Sequence, residues 1–400
     1  MTKEQADMPK SKSMPIYLDY HATTPVDERV LAAMLPWFSE RFGNPHSRDH
    51  RHGWEAEEAV EAARAQVAAL IGAQAREIVF TSGATESNNL AIKGCARALK
   101  TDRPHVVTCV TEHKCVLESC RRLEREGFDV TYLPVRHDGS IDLAALEDAV
   151  TERTALVSIM AVNNEIGVIH PMAEIGRICR ARGARFHTDA AQAVGKIPLD
   201  VTAMKIDLLS ISGHKVYGPK GIGVLYVRRR PRVPLEPLLD GGGQQRGIRV
   251  GTIPTSLAVG MGEACAVAGQ EMADEAVRLA ALRDRFLARL QDAVPDTHVH
   301  GGMEHRVAGN LNVSFPDVDG QDLMMRLGSI SVSTGSACTS ATVEPSHVLQ
   351  ALGVDARLLH NSIRIGLGRY TTEAEIDIAA AELANAVQSL RASTQIYERA

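Results

Sequence analysis

Short apolar, β-branched runs alternate with helical patterns from about residue 55 to 230. EIVF (Glu77–Phe80), HVVTCV, DVTYL, ALVSIM, ARFHTD, DLLSIS and GVLYV each read as a strand. Between them, AEEAVEAARAQVAALIG places Val60, Ala63, Val67 and Leu70 at helical spacing, and Cys115–Arg125 and Leu143–Val150 also read as helices. Such alternation predicts an α/β fold: a doubly wound, mostly parallel sheet of about seven strands covered by helices. Ligands of such sheets bind beyond the carboxyl ends of the strands, so motifs at those ends carry extra weight.

Beyond the strands a helical pattern spans Pro254 to Ala293, opening on the apolar stretch Leu257–Met261. Residues 295–400 mix strands (LNVSF, SIRIGL) with helices, and Thr372 with Glu375 makes a capping-box pattern. At 400 residues the chain exceeds one ordinary core. The predicted division is a flexible N-terminus over 1–13, a large domain over 14–265 and a smaller α+β domain over 266–400.

Composition narrows the function. There are 49 acidic and 44 basic residues, a net charge of −5, which gives no reason to expect a nucleic-acid or anionic-membrane partner. No apolar run approaches the roughly 20 residues of a membrane span. Met1–Ser13 is polar, without the apolar centre of a signal peptide, so the cytoplasm is the default compartment. Seven cysteines without a CxxC pair suggest neither a disulfide framework nor a zinc site. No intrinsic metal is expected.

Three segments carry chemistry. TSGATESNNLAIKG (Thr81–Gly94) follows a strand and opens a helix, so Gly83, Ala84 and Thr85 could cradle a phosphate; an ordinary strand-to-helix turn would look the same. In HTDAAQAVGK, Asp189 ends a strand, where a carboxylate can pair with a protonated ring nitrogen, and Gln192 could donate to a ring oxygen. A helix cap would also account for Asp189. In SISGHKVYGPKGIGVLYV, Lys215 follows another strand in a glycine-rich loop and is a candidate Schiff-base lysine. Ser212 and His214 could contact the same phosphate as Thr85. A phosphate cradle, an acid and a lysine at one sheet edge form a pyridoxal-phosphate constellation.

These segments, with YLDYHATTPVD, FGNPHS, TEHK, VNNEIG, STGSACTS and residues 362–372, make the chain resemble the cysteine desulfurases of iron–sulfur cluster assembly, the NifS/IscS type. That group lies within the class V aminotransferases of the aspartate-aminotransferase fold. The resemblance implies pyridoxal 5'-phosphate as cofactor and L-cysteine as substrate. It implies that Lys215 is the Schiff-base lysine and that His113 stacks on the ring and moves protons. Asp189 is then the ring-nitrogen partner, Gln192 the donor to the phenolic oxygen, and Asn164 a residue positioning cofactor and substrate. Ala84, Thr85, Ser212 and His214 form the phosphate cup. Thr252 reaches the phosphate of the other subunit, which implies a homodimer. Asn44 and Arg364 clamp the substrate carboxylate, a task suited to the planar guanidinium fork.

Cys338, in a stretch of Ser, Thr, Gly and Ala, is expected on a mobile loop. There it would take sulfur as a persulfide, leave alanine, and pass the sulfur to an iron–sulfur scaffold protein or other acceptors, tRNA-thiolation proteins among them. It could also contact a cluster held by such a partner. Cys115 stands two residues from His113, where many relatives carry alanine. A selenocysteine lyase of the same fold and a sulfur-relay protein without turnover are the competing readings. Of the other features, His46, His50 and His52 read as a polar loop. His298, His300 and His305 read as a wet loop, and Arg228, Arg229, Arg230 and Arg232 as a solvated edge.

Overall fold

The structure is a computed structural model that describes residues 14–334 and 345–397. The stretch 1–13 and Cys338 with its loop lie outside the described residues.

Twelve strands are described: β1 Ile16–Tyr17, β2 Ile78–Thr81, β3 His105–Cys109, β4 Asp129–Leu133, β5 Thr154–Ser158, β6 Arg185–Asp189, β7 Leu208–Ser212, β8 Gly223–Val227, β9 His298–Val299, β10 Asn310–Ser314, β11 Ile330–Ser331 and β12 Ser362–Gly366. The central sheet has seven, in the order β2-β8-β7-β6-β5-β3-β4. β8 runs antiparallel to its neighbours β2 and β7, and the other pairs are parallel. The predicted α/β sheet, mostly parallel and seven-stranded, is therefore present.

These strands lack polar alternation because both faces are covered. Successive side chains point to opposite faces, and both destinations are apolar. Val107, Val157, Leu209 and Val224 enter one buried cluster, while their neighbours Val106, Leu156, Leu208 and Leu225 enter another. The helix Arg51–Leu70 lies against the 39-residue helix Thr255–Ala293 through Val60, Ala63 and Val67 facing Met261, Ala264 and Ala268. A Cβ at Gly262 would come within 2.6 Å of the Ala63 Cα, so this close crossing needs glycine.

The long helix serves two cores. Its first part packs in the sheet cluster, and Leu282, Phe286 and Leu290 join a second cluster with Leu311, Val313, Ile363, Ile365 and Leu383. That second core sits over the antiparallel sheet β12-β10-β9 and the helix Glu373–Tyr397. The capping box at its start is present: the Thr372 N–H donates to Glu375 (2.8 Å) and the Glu375 N–H to Thr372 Oγ1 (3.3 Å). β1 returns from the N-terminal side to pair with β11.

Two surface expectations need correction. Arg229, Arg230 and Arg232 are exposed, but Arg228, the residue after β8, is buried against Asp207, whose carbonyl accepts from its N–H (2.9 Å). His305 is exposed, whereas His300 is buried next to β9 with Nε2 2.6 Å from Ser314 Oγ.

His187 on β6 locks three parallel strands together. Its Nδ1 lies 2.8 Å from Ser158 Oγ on β5 and its Nε2 3.0 Å from Ser210 Oγ on β7. Complete burial pushes its pKa down to about 3. The unfolded chain then binds a proton, near the ordinary value of about 6.5, that the folded chain refuses. This contribution is complete above about pH 6.5 and is lost as pH falls toward 3. His187→Gln, which keeps hydrogen-bonding capacity without titrating, is predicted to flatten the slope of unfolding free energy between about pH 4 and 6 by up to about 1.4 kcal/mol per pH unit. Urea melts at several pH values measure it; an unchanged slope would mean that His187 charges equally in both states.

Candidate active site

The end of β6, the turn after β7 and the turn after β2 open into one cleft of about 1690 Å³. Among the described residues it is lined by Ala84, Thr85, His113, Asn164, Asp189, Gln192, Ser212, His214, Lys215 and Arg364. Ten of the residues expected to hold cofactor or substrate therefore meet in one place, from chain positions 84 to 364.

The turn after β2 supplies the cradle. The helix beginning at Ala84 has no side chain capping its first turn, which leaves backbone N–H groups for an anion. A π turn at Leu90–Gly94 carries the helical path on to Ala98. A Cβ at Gly83 would meet nothing within 4 Å, so the space is open there. On its other side the turn is pressed against β8: a Cβ at Gly223 would sit 2.5 Å from Gly83 Cα. Glu86 ties the turn down, accepting from Ser82 N–H (2.7 Å) and from Arg249 (2.9 Å).

Lys215 closes a short helical turn, Gly213–Lys215, directly after β7. Thr24 N–H donates to the His214 carbonyl (2.9 Å), and the Lys215 amine donates to the His21 carbonyl. Tyr217 just beyond has a φ of 62°, an uncommon conformation for a bulky residue. It is held by its N–H on Thr24 Oγ1 (2.9 Å) and by Arg369, whose guanidinium lies 4.2 Å from the ring centroid. His214 sits 3.0 Å from Thr23 Oγ1, and burial together with Lys215 pushes its pKa down to about 4.

Asp189 is buried at the end of β6. It accepts from Ala191 N–H (2.9 Å) in the turn that follows, where no helix starts for it to cap, and from Asn88 Nδ2 (2.6 Å). Gln192 donates to the His21 carbonyl (2.8 Å), while its own carbonyl accepts from Lys196 (2.7 Å) and faces His21 Nδ1 (3.0 Å). Lys196 is half-buried, and desolvation pushes its amine down to about 7. His113 caps the helix Lys114–Arg125. Its Nδ1 accepts from Cys115 N–H (3.2 Å) and lies 3.0 Å from Cys115 Sγ. Burial, as the largest cause, lowers its pKa.

Arg364 on β12 joins two elements of the site. It donates to the Asn164 carbonyl (3.0 Å) and pairs with Asp19 (2.7 Å). Asp19 stood in the YLDY motif without a role, and nothing in its spacing marked it. Asn88 and Lys196, one turn from Thr85 and Gln192, were likewise missed, as was His21 in the YLDYHATTPVD segment. Thr252 and Asn44 are exposed and do not line the cleft of the single chain; Asn44 Oδ1 accepts from His46 N–H (2.9 Å). His50 caps the helix Arg51–Leu70 through Nδ1 on Gly53 N–H (3.2 Å).

The family model for aminotransferase class-V proteins matches residues 16–378. The chain belongs to the aminotransferase class-V family. Its similarity within that family lies with cysteine desulfurases. It is 58% identical to a cysteine desulfurase of Pongo abelii, covering 96% of this chain and 84% of that protein. It is 55% identical to cysteine desulfurase IscS of Rickettsia bellii, covering 96% and 94%. Among solved structures, a NifS-like protein superposes with a TM-score of 0.88 at 38% identity, covering 94% of this chain and all of that one.

Class V aminotransferases and cysteine desulfurases are pyridoxal-phosphate enzymes. The class V site fits that group: an uncapped helix start beside open space, an amine at a strand end, and a buried carboxylate. Next to that carboxylate, the buried Asn88 Oδ1 has no hydrogen-bond partner among the described residues.

Gly223→Ala is predicted to force Gly83 and β8 apart and to lower stability by about 1–3 kcal/mol. Gly328→Ala, where a Cβ meets nothing within 4 Å, should stay within about 0.5 kcal/mol of wild type. Urea unfolding of both variants checks the pair; equal stability would refute the tight approach.

Proposed function

We propose that the chain is a pyridoxal-phosphate-dependent cysteine desulfurase that takes sulfur from L-cysteine, releases L-alanine and holds the sulfur as a persulfide on Cys338. The observation that carries this reading is the convergence of Lys215, Asp189, His113 and the Thr85 turn in a single cleft at the carboxyl ends of the strands. Pyridoxal phosphate, when bound, supplies an electron-poor ring that accepts charge from the substrate's α-carbon.

The chain's own residues do the rest. Lys215 holds the cofactor and then serves as the base that takes the α-proton. Asp189, oriented by Asn88 and Ala191, keeps the ring nitrogen protonated. Gln192 would donate to the phenolic oxygen of the bound group, and His113 would move protons at its ring. Ala84, Thr85, Ser212 and His214 hold the phosphate, and Asn164 positions the bound groups. Arg364, which lines the cleft, would clamp the substrate carboxylate, exchanging its Asp19 contact in part for the substrate, and the family resemblance adds Asn44, which lies outside the cleft of the single chain. The Cys338 thiolate attacks the substrate sulfur. An S–S bond forms and the C–S bond breaks, its electron pair staying with carbon, which takes a proton and leaves as alanine. Thr334 and Pro345, on either side of the segment bearing Cys338, both line the cleft, which supports this role.

The partner reading is a homodimer with Thr252 completing the phosphate cup of the other subunit. It is supported by the exposed position of Thr252 and by the exposed apolar side chains of Leu31, Leu35, Phe38, Phe42 and Trp54. The acceptors are an iron–sulfur scaffold protein, in line with the IscS name of the Rickettsia relatives, and tRNA-thiolation proteins. Six described cysteines are free, which suits the reducing cytoplasm. A Dictyostelium relative is named as mitochondrial. No helix among the described residues is long and apolar enough to cross a membrane.

Borohydride reduction of the purified yellow protein, followed by peptide mapping, is predicted to place the cofactor on Lys215, and Lys215→Ala should abolish the label. A label on Lys196 or Lys220 would overturn the assignment. Heterodimers of Lys215→Ala with Thr252→Ala subunits should regain activity up to that of one intact site. No recovery in verified heterodimers would refute the shared cup.

A further inference from the structure

Cys115 sits at the start of the helix Lys114–Arg125 and lines the cleft, yet the reaction described above gives it no task. Its thiol lies beside the Thr85 side chain and between two groups whose roles matter. On one side, Asn88 Nδ2 is 3.2 Å from Cys115 Sγ and 2.6 Å from Asp189 Oδ2. On the other, His113 Nδ1 is 3.0 Å from the same sulfur.

The directions of these bonds can be worked out. A backbone N–H only donates, and the Cys115 N–H points at His113 Nδ1 (3.2 Å), so Nδ1 is the unprotonated nitrogen of the ring. An amide NH2 also only donates, so Asn88 gives one hydrogen to Asp189 and one to the sulfur. A sulfur that accepts from Asn88 has its own proton free to donate; the unprotonated Nδ1, which can only accept, lies within reach at 3.0 Å, and the Thr85 hydroxyl can instead donate to the sulfur.

We propose that Cys115 is a positioning residue for His113: its S–H donates to Nδ1 beside the backbone N–H of the same residue, and so leaves the ring proton on Nε2, away from the helix. Asp189, Asn88, Cys115 and His113 then form one chain of hydrogen bonds. It sets the partner of the cofactor ring nitrogen and the imidazole over the ring in fixed relation. Burial pushes the Cys115 thiol up to about 12, so the S–H is intact at neutral pH and the sulfur is a poor nucleophile. This separates Cys115 from Cys338 by role.

Proton binding at Nδ1 would break both donations, so Cys115 holds His113 neutral. The other groups facing His113 act in both directions. Asp189 and Glu165 favour its charged form, while Lys215 and His347 oppose it. The preceding residue, Glu112, is engaged elsewhere, accepting from Met160 N–H (2.6 Å).

The inference rests on the reading of His113 as the proton-moving group over the cofactor ring, and the test separates the two. The holoenzyme and its Cys115→Ala, Cys115→Ser and His113→Gln variants are compared by the pH dependence of kcat/KM for L-cysteine and by pH titration of the bound cofactor's visible absorbance. Cys115→Ala should move the acid-side transition up by about 0.5–1 pH unit, the size expected for one lost hydrogen bond. Cys115→Ser, which keeps a donor, should return it to the wild-type position. Coincidence of Cys115→Ala with wild type in both readouts, or a Cys115→Ser shift as large as that of Cys115→Ala, overturns the proposal. His113→Gln should abolish the transition. If the transition persists there, the reading of His113 fails and the inference with it. If it vanishes there but is unmoved in Cys115→Ala, only the inference fails.

Discussion

The parallel hydrogen bonding of β5, β6 and β7 is the constraint on which the site depends. Ser158 opposes His187 and Asp189 opposes Ser210 in that ladder, and the buried His187 ring ties the three strands side to side. Because the strands run the same way, their carboxyl ends fall on one edge. Asp189 at the end of β6 and Lys215 in the short turn after β7, separated by 26 positions in sequence, therefore face one cleft. A register slip would turn Asp189 to the opposite face of the sheet.

The edge is useful because the same burial that stabilises the sheet sets the protonation of its polar groups. His187 and His214 are held neutral, Cys115 stays a thiol, and Lys196 is pushed toward neutrality behind Gln192. Asp189 is supplied with two donors, from Asn88 and Ala191. Binding energy for an aromatic phosphate cofactor thus comes from groups ordered before it arrives, which cuts the cost of association.

Much of this was legible in the chain. The seven strands stand out because each is short, apolar and covered on both faces, and two of them, Asp129–Leu133 and Gly223–Val227, match their predicted limits residue for residue. Motifs at strand ends found Asp189 and Lys215 for the same reason. What the sequence hid are contacts between distant segments. Nothing near Asp19 names Arg364 as its partner, and nothing near Asn88 names Cys115. The two-residue strands β1, β9 and β11 are too short to show a period, and Arg228 looked like one member of an exposed basic run but is buried against Asp207. Thr252 and Asn44 are exposed in the single chain, and their assigned roles draw on the family resemblance.

The central claim is that sulfur leaves L-cysteine for Cys338 while the remaining atoms depart as alanine. It is tested most directly by a single-turnover reaction of the purified holoenzyme with L-cysteine, quenched by a thiol-alkylating reagent and followed by mass spectrometry of the peptides together with alanine quantification. The account predicts one alanine released per persulfide and a peptide containing Cys338 that is one sulfur atom heavier. It also predicts that Cys338→Ala retains the cofactor yet forms neither product in sustained turnover. Persulfide on Cys115, or full turnover by Cys338→Ala, would contradict it.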